Sequence, residues 1–192
     1  FEIEVLAASE RSAGKKFKDA ANWLMETELP KNVADMPVVN IDVESVEKAG
    51  NVDLVFSSLP GDLAGPVEAQ FGAMYPVFSK ASAHRMEKDV PLIVPEINPD
   101  HAELVKVQQK LRGWKGFITT DPNCSTIGLA ITLKPLASFG IRQVMVTTMQ
   151  ALSGAGYPGV SSLDIIDNVV PYISGEEDKM ETEALKILGN FD

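Results

Sequence analysis

Apolar runs of strand length alternate with helical patterns along the first two thirds of the chain. Phe1 to Ala8, "FEIEVLAA", reads as a buried strand. Lys16 to Glu26 reads as a helix presenting Phe17, Ala20, Ala21 and Leu24 on one face. "MPVVNID" is a short strand, and "VDLVFSSLP" (Val52 to Pro60) is a stronger one ending in a turn. Asp62 to Gly72 is predicted helical, N-capped by Asp62 or Gly61, with Pro66 in its first turn. "YPVFSK" is another strand. "PDHAELVKVQQKLRG" is a helix with Asp100 as N-cap and Gly113 as C-cap. "GFITTD" is the next strand, and Ser125 to Phe139 the next helix. After about Gly140 the texture changes. "IRQVMVTTMQAL" is a β-rich run of 12 residues, followed by the glycine-rich "SGAGYPGV" and then by "GEEDKMETEALKIL", a helix with an acidic start.

Strand–helix alternation of this kind builds an α/β fold with an open parallel sheet and helices on both faces. An antiparallel second domain is expected to begin near Asn123, which divides the chain into residues 1–122 and 123–192. The chain opens inside a strand at Phe1 and closes soon after Gly189, a C-cap glycine. It is therefore expected to be a fragment of a longer protein. Ligands of open parallel sheets bind beyond the carboxyl ends of the strands. The informative loops are then "SERSAGKK", "SSLPGDLA", "SKASAHRM" and "DPNCST".

Composition narrows the function. Hydrophobic residues make up 45% and charged residues 23%, a soluble globular balance. A formal charge of −10 argues against a general nucleic-acid surface. No apolar run approaches the roughly 20 residues that span a bilayer. A lone cysteine, Cys124, excludes an intramolecular disulfide and fits a reducing, cytoplasmic compartment. With only two histidines, His84 and His101, no metal-ligand cluster is expected.

The loops carry the candidate chemistry. Ser9, Arg11, Ser12 and Lys15 offer hydroxyl and cationic donors, and Gly14 admits close backbone approach. In a dinucleotide-binding sheet, Arg and Ser at such a turn suit a ribose 2′-phosphate, whereas an acid such as Glu10 suits a 2′-hydroxyl. The bland alternative is a solvated polar turn. Cys124 follows Pro122, which disfavours helical geometry at Asp121, so its sulfur lies at a helix N-terminus. There, unpaired N–H groups and the helix dipole favour a thiolate and an oxyanion, and Asn123 can add a side-chain donor. The alternative is a buried, inert thiol. Gln150 lies near a strand end, before Ser153-Gly154-Ala155-Gly156, which is either a close-approach loop or a plain turn. Arg85 and Lys179 are candidate anion binders, against the ordinary reading of solvated charges.

Taken in order, "ERSAGKK", "SSLP", "ASAHRM", "DVPLIVPEIN", "GWKG", "PNCSTI", "TLKPL", "MQALSGAGYPGV" and "DNVVPYISGEEDKMETE" resemble the aspartate-semialdehyde dehydrogenase family, in particular its archaeal and fungal-type branch. The resemblance implies a Rossmann-type NADP-binding domain lacking its first βα unit, followed by part of an α+β catalytic and dimerisation domain. It implies that Cys124 is the nucleophile, with Asn123 beside it and Gln150 orienting the acyl intermediate. Ser9, Arg11 and Ser12 would hold the NADP 2′-phosphate, with Ser57, Ser153 and Gly154 on the cofactor elsewhere. Arg85 and Lys179 would bind phosphate, and Glu176 the substrate amino group. The implied reaction is the NADPH-dependent conversion of aspartyl phosphate to the semialdehyde and phosphate, in lysine, threonine and methionine biosynthesis. A homodimer or homotetramer is implied as well. The family's glycine-rich phosphate turn is absent from this chain. Its general-base histidine and substrate-binding arginine are expected beyond Asp192, and the 192-residue chain alone is expected to be inactive. Lys80 stands in "SKAS", where relatives often carry Asn.

Three rival readings share parts of this pattern. Malonyl-CoA and succinyl-CoA reductases of the same superfamily share the fold, the cysteine and NADP, although "NCST" followed by "IG" leans toward the semialdehyde enzyme. N-acetylglutamyl-phosphate reductase is more distant, with a different cysteine context. A non-catalytic nucleotide-binding fragment, with Cys124 structural, is the rival of another class.

Overall fold

The computed structural model describes residues 1–190 and divides into two compact units. The first comprises Phe1–Pro91 and His101–Asp121; the second comprises Leu92–Asp100 and the chain from Pro122 onward.

The first unit is a parallel α/β assembly. Strand β1 (Leu6–Ala8) leads through a turn to helix α1 (Phe17–Ala20) and helix α2 (Lys31–Ala34), and β2 (Val38–Asn40) returns parallel to β1. Helix α3 (Val43–Ala49) is capped by Asp42, whose side chain accepts from Ser45 N–H at 2.8 Å. Strand β3 (Val55–Ser57), helix α4 (Gly61–Gly72) and strand β4 (Pro76–Ser79) follow. A 3₁₀ turn at Pro99–Glu103 leads into α5 (Leu104–Arg112), which ends at Gly113 in the left-handed region, φ 67°. Strand β5 (Phe117–Thr120) completes a second parallel sheet in the order β3-β4-β5.

Register puts Ser57, Ser79 and Thr120 side by side at the carboxyl end of that sheet. One residue earlier in the pleat, Phe56 packs on Phe78 with ring centroids 5.7 Å apart. On the other face Val77 and Ile118 are fully buried with Phe71 of α4, Val46 of α3 and Val90. The free edge of β5 is satisfied by a side chain. Buried Gln108 accepts from Ile118 N–H at 2.7 Å and donates to Ile118 C=O at 3.0 Å, as a neighbouring strand would. Gly116 is required where the chain enters β5, because a Cβ there would sit 2.1 Å from the Tyr75 carbonyl oxygen.

The second unit is helical. Helix α6 (Cys124–Leu133) continues as a 3₁₀ turn at Lys134–Phe139; a second 3₁₀ turn at Leu152–Ala155, the short α7 (Ser162–Ile165) and α8 (Glu176–Leu188) complete it. Its core joins Ala130 of α6 and Ile187 of α8 to Leu92, Val94 and Ile97.

Several sequence expectations are corrected. The first strand is confined to Leu6–Ala8. The helix predicted over Lys16–Glu26 stops at Ala20, where Ala21 turns extended, and Trp23, Leu24 and Met25 are exposed. An apolar stripe with nothing to pack against does not hold a short helix. Helix α4 is capped by Pro60, so Pro66 falls in its interior and not in the first turn. Asp100 sits inside the 3₁₀ turn that precedes α5 and does not cap that helix. The β-rich run over residues 141–152 adopts no strand: residues 141–151 are exposed and irregular. A strand needs a partner for its N–H and C=O groups, and none of the described residues pairs with this segment.

Candidate active site

The candidate nucleophile is set by the local chemistry of Pro122-Asn123-Cys124. Asn123 keeps an extended backbone, φ −55° and ψ 141°, and its carboxamide oxygen accepts from Ser125 N–H at 3.0 Å and Thr126 N–H at 3.1 Å. This caps α6 and makes Cys124 its first residue. Cys124 is exposed, so the core-filler reading of the lone thiol fails. Its sulfur lies at the helix N-terminus, as the sequence suggested, but the first turn is less open than expected. Asn123 N–H donates to Glu183 at 2.6 Å, Ile127 N–H to the Asn123 carbonyl at 3.0 Å, and the Ser125 and Thr126 N–H groups to the Asn123 side chain. Among the described residues, the Cys124 N–H alone in this turn is left to face a ligand.

Glu176, at the start of α8, joins the amides around this turn. It accepts from Asn123 Nδ2 at 3.0 Å and from Gln150 Nε2 at 2.9 Å. Burial pushes its carboxyl up, but hydrogen bonds from Gln150, Ser125 and Asn123, with the Lys179 ammonium nearby, outweigh that and hold it below the usual carboxylate range. Cys124, Gln150, Gly154, Glu176 and Lys179 line one open cleft of about 1680 Å³ in the second unit. Ser153 and Gly154 form part of a 3₁₀ turn, followed by Gly156 at φ 67°. The Gly154 position lies beside Gln150, 4.0 Å from its Oε1 to an ideal Cβ.

The remaining candidates sit in the first unit. Ser9, Arg11 and Ser12 form the turn after β1, closed by Ser12 N–H to the Ser9 carbonyl at 2.8 Å, and Arg11 is exposed. The turn borders a small apolar cavity of about 150 Å³ lined by Leu6, Ala8, Ser12, Phe17, Ala20 and Val38. The turn thus sets hydroxyl and guanidinium donors, of the kind a phosphorylated ribose takes, next to an apolar hollow at the end of a parallel strand. Ser57, the last residue of β3, is buried, and its hydroxyl donates to Glu68 of α4 at 2.5 Å; Ser79 donates to the same oxygen at 2.7 Å. Arg85 is buried and donates to the Lys80 carbonyl at 2.9 Å. Lys80 itself pairs with Asp121 at 3.3 Å. The sequence reading missed Glu68 and Glu183, both almost fully buried and both holding donors next to candidate site residues. Among the described residues no group of three or more His, Cys, Asp or Glu side chains could hold a metal ion.

Comparison with known proteins decides the kinship. Residues 1–105 match the model of the semialdehyde dehydrogenase NAD-binding domain, and residues 133–192 that of the semialdehyde dehydrogenase dimerisation domain. The chain belongs to the semialdehyde dehydrogenase family. It is 55% identical to the aspartate-semialdehyde dehydrogenase of Methanothermobacter thermautotrophicus, over all of this chain and 55% of that protein. It is 44% identical to the malonyl-CoA reductase (NADP) of Metallosphaera sedula, over 94% of this chain and 50% of that protein. The crystal structure of the Candida albicans aspartate-semialdehyde dehydrogenase with NADP superposes with a TM-score of 0.83 at 46% identity, covering all of this chain and 54% of that one. The chain thus spans about half the length of the relatives it matches. For this family member, the parallel α/β architecture with an NAD-binding portion agrees with what the sequence led us to expect.

Proposed function

We propose that the protein is an NADP-dependent aspartate-semialdehyde dehydrogenase that reductively dephosphorylates L-aspartyl 4-phosphate. The observation that carries this reading is the exposed Cys124 as the first residue of α6, in a cleft with Gln150, Glu176 and Lys179. The thiolate attacks the acyl carbon, and the C–O bond to phosphate breaks, leaving a thioester on Cys124 and free phosphate. A thiol suits this role as both a good nucleophile and a good leaving group. The oxygen of the tetrahedral adduct is met by the Cys124 N–H and by the second protons of the Asn123 and Gln150 carboxamides. When bound, NADPH would supply the hydride that reduces the thioester to the semialdehyde, with Cys124 leaving as the thiolate that began the cycle. Lys179, in the cleft with Cys124, is assigned to the phosphate, and Glu176, kept ionised, takes the substrate ammonium; Arg85, in the first unit, is assigned to phosphate binding by its guanidinium alone. Ser9, Arg11 and Ser12 hold the 2′-phosphate, and Ser57, Ser153 and Gly154 contact the cofactor elsewhere.

Residues 1–122 are assigned to cofactor binding and 123–192 to catalysis and dimerisation. The exposed apolar side chains Met145, Met149, Tyr157, Leu163 and Val169 support a homodimer or homotetramer built on that second part. The pathway would be lysine, threonine and methionine biosynthesis in the cytoplasm.

The test is NADP reduction by the full-length protein with aspartate semialdehyde and phosphate, beside NADPH oxidation with malonyl-CoA. Aspartate-semialdehyde turnover that is abolished in Cys124→Ala is expected. Reduction of the CoA thioester alone would overturn the substrate assignment in favour of the malonyl-CoA reductase reading, which the 44% identity to such an enzyme keeps in view. Undiminished turnover by Cys124→Ala would overturn the mechanism.

A further inference from the structure

We propose that Glu183 is a positioning residue for Cys124. Its side chain is 2% exposed, on the face of α8 that also buries Met180, Ala184 and Ile187. A carboxylate at a core position of an amphipathic helix is costly unless it is hydrogen-bonded. Glu183 Oε2 accepts the main-chain N–H of Asn123 at 2.6 Å, a charge-assisted bond to the residue directly before the candidate nucleophile.

The geometry gives this bond a specific consequence. Glu176 and Glu183 are seven residues apart, two turns of α8 and about 10 Å along its axis. Between them they grip Asn123 at two points: Glu176 at the carboxamide nitrogen and Glu183 at the main-chain nitrogen. With both points held, the Asn123 oxygen is aimed at the Ser125 and Thr126 N–H groups, and the Cys124 N–H is left open. Glu183 is not among the residues that line the cleft with Cys124. It acts through the Asn123 backbone, fixing where the start of α6, and Cys124 with it, stands relative to Glu176 on α8. The role rests on the reading of Cys124 as the nucleophile.

Three variants of the full-length protein test it: Glu183→Gln, which keeps an acceptor oxygen at the same reach; Glu183→Asp, which keeps the charge but withdraws the acceptor by one methylene; and Glu183→Ala. The readouts are kcat and KM for aspartate semialdehyde and NADP, the rate of iodoacetamide alkylation of the Cys124 peptide followed by mass spectrometry, and the melting temperature. Glu183→Gln is expected to stay within about threefold of wild type, and Glu183→Asp and Glu183→Ala to lose about tenfold or more in kcat with little change in the KM for NADP. Cys124 alkylation is expected to fall in the same order. A purely structural glutamate would lower the melting temperature without this rescue by Gln. Wild-type kcat and alkylation in a folded Glu183→Asp, or equal damage by Gln and Asp, overturns the proposal. If Glu183→Ala does not fold, the Gln–Asp pair decides alone. Should the wild type not turn over aspartate semialdehyde at all, the alkylation series still tests Glu183 separately from the assigned reaction.

Discussion

The Asn123 side chain performs two hydrogen-bonding tasks at once, and three substitutions separate them. Its carboxamide oxygen caps α6 through two N–H groups, and its nitrogen donates to Glu176. Loss of an N-cap costs about 1 kcal/mol. Loss of a donor to a carboxylate costs about 1.5–3 kcal/mol, and the lower end applies because Glu176 is only half-buried. Asn123→Ala removes both and should loosen the start of α6 by roughly 2.5 kcal/mol. Asn123→Ser keeps the cap and loses the donor, for about 1.5 kcal/mol. Asn123→Asp keeps the cap but sets a second carboxylate against Glu176, where an N···O contact of 3.0 Å now stands. Two like charges that close, at an effective dielectric of about 20, repel by several kcal/mol. One of the pair then protonates more readily, so the defect of Asn123→Asp should shrink as pH is lowered. The assay is hydrogen exchange of the peptide spanning residues 122–133 in the full-length protein. The opening rate is expected to rise by roughly 50-fold or more for Ala and about tenfold for Ser, with Asp worse than Ser at pH 7. If Ser exchanges as fast as Ala, the cap is irrelevant. If Asp is no worse than Ser at pH 7, the contact with Glu176 is not electrostatic.

Three further outcomes follow from the same geometry. Glu176 is held below the usual carboxylate range, so its bonds to Gln150 and Asn123 are present above the ordinary glutamate pKa and are lost only as pH falls through the lower, folded value. A ¹³C carboxyl titration placing Glu176 at or above the ordinary value would contradict this. Gly116→Ala drives a Cβ to 2.1 Å from the Tyr75 carbonyl oxygen, backbone against backbone, and should cost more than about 3 kcal/mol in urea unfolding; wild-type stability would refute the clash. Ser57→Ala strips one of two hydroxyl donors from buried Glu68 and should cost about 1.5–3 kcal/mol, whereas Glu68→Gln, which still accepts both hydroxyls, should cost less; the reverse order in urea unfolding would sink this account.

The parallel sheet was legible because β3, β4 and β5 are short apolar runs bounded by turn residues, and because Gly113 stops α5 as a left-handed cap. The placement of Cys124 was legible too, since Pro122 and Asn123 between a strand and an apolar helix fix a cap by local chemistry alone. What failed was local pattern without a partner. Leu24 belongs to an apolar stripe, yet it is exposed, and the helix ends before it. The run from Ile141 to Leu152 is rich in the Ile, Val and Thr that strands favour, and its N–H and C=O groups find no ladder among the described residues. Periodicity reports a preference for burial or pairing; it does not report whether the surface that satisfies it is there.

The two missed glutamates expose the opposite gap, a signal that was present and unread. Helix α4 buries Ala64, Glu68, Phe71 and Gly72, and α8 buries Met180, Glu183, Ala184 and Ile187. In both, the spacing is an apolar stripe of steps three and four with one carboxylate set into it. Hydrophobic scoring counts such a residue as a defect in the stripe. Physically it is the opposite, because a glutamate survives there only if donors converge on it. For Glu68 the donors are the hydroxyls that end β3 and β4, and for Glu183 the N–H that precedes α6. Strand ends and helix starts are also where a parallel α/β protein binds its ligands. A lone acidic residue on an otherwise apolar helix stripe therefore marks, in α4 and α8, the side chain that ties the helix to the ends of β3 and β4 or to the start of α6.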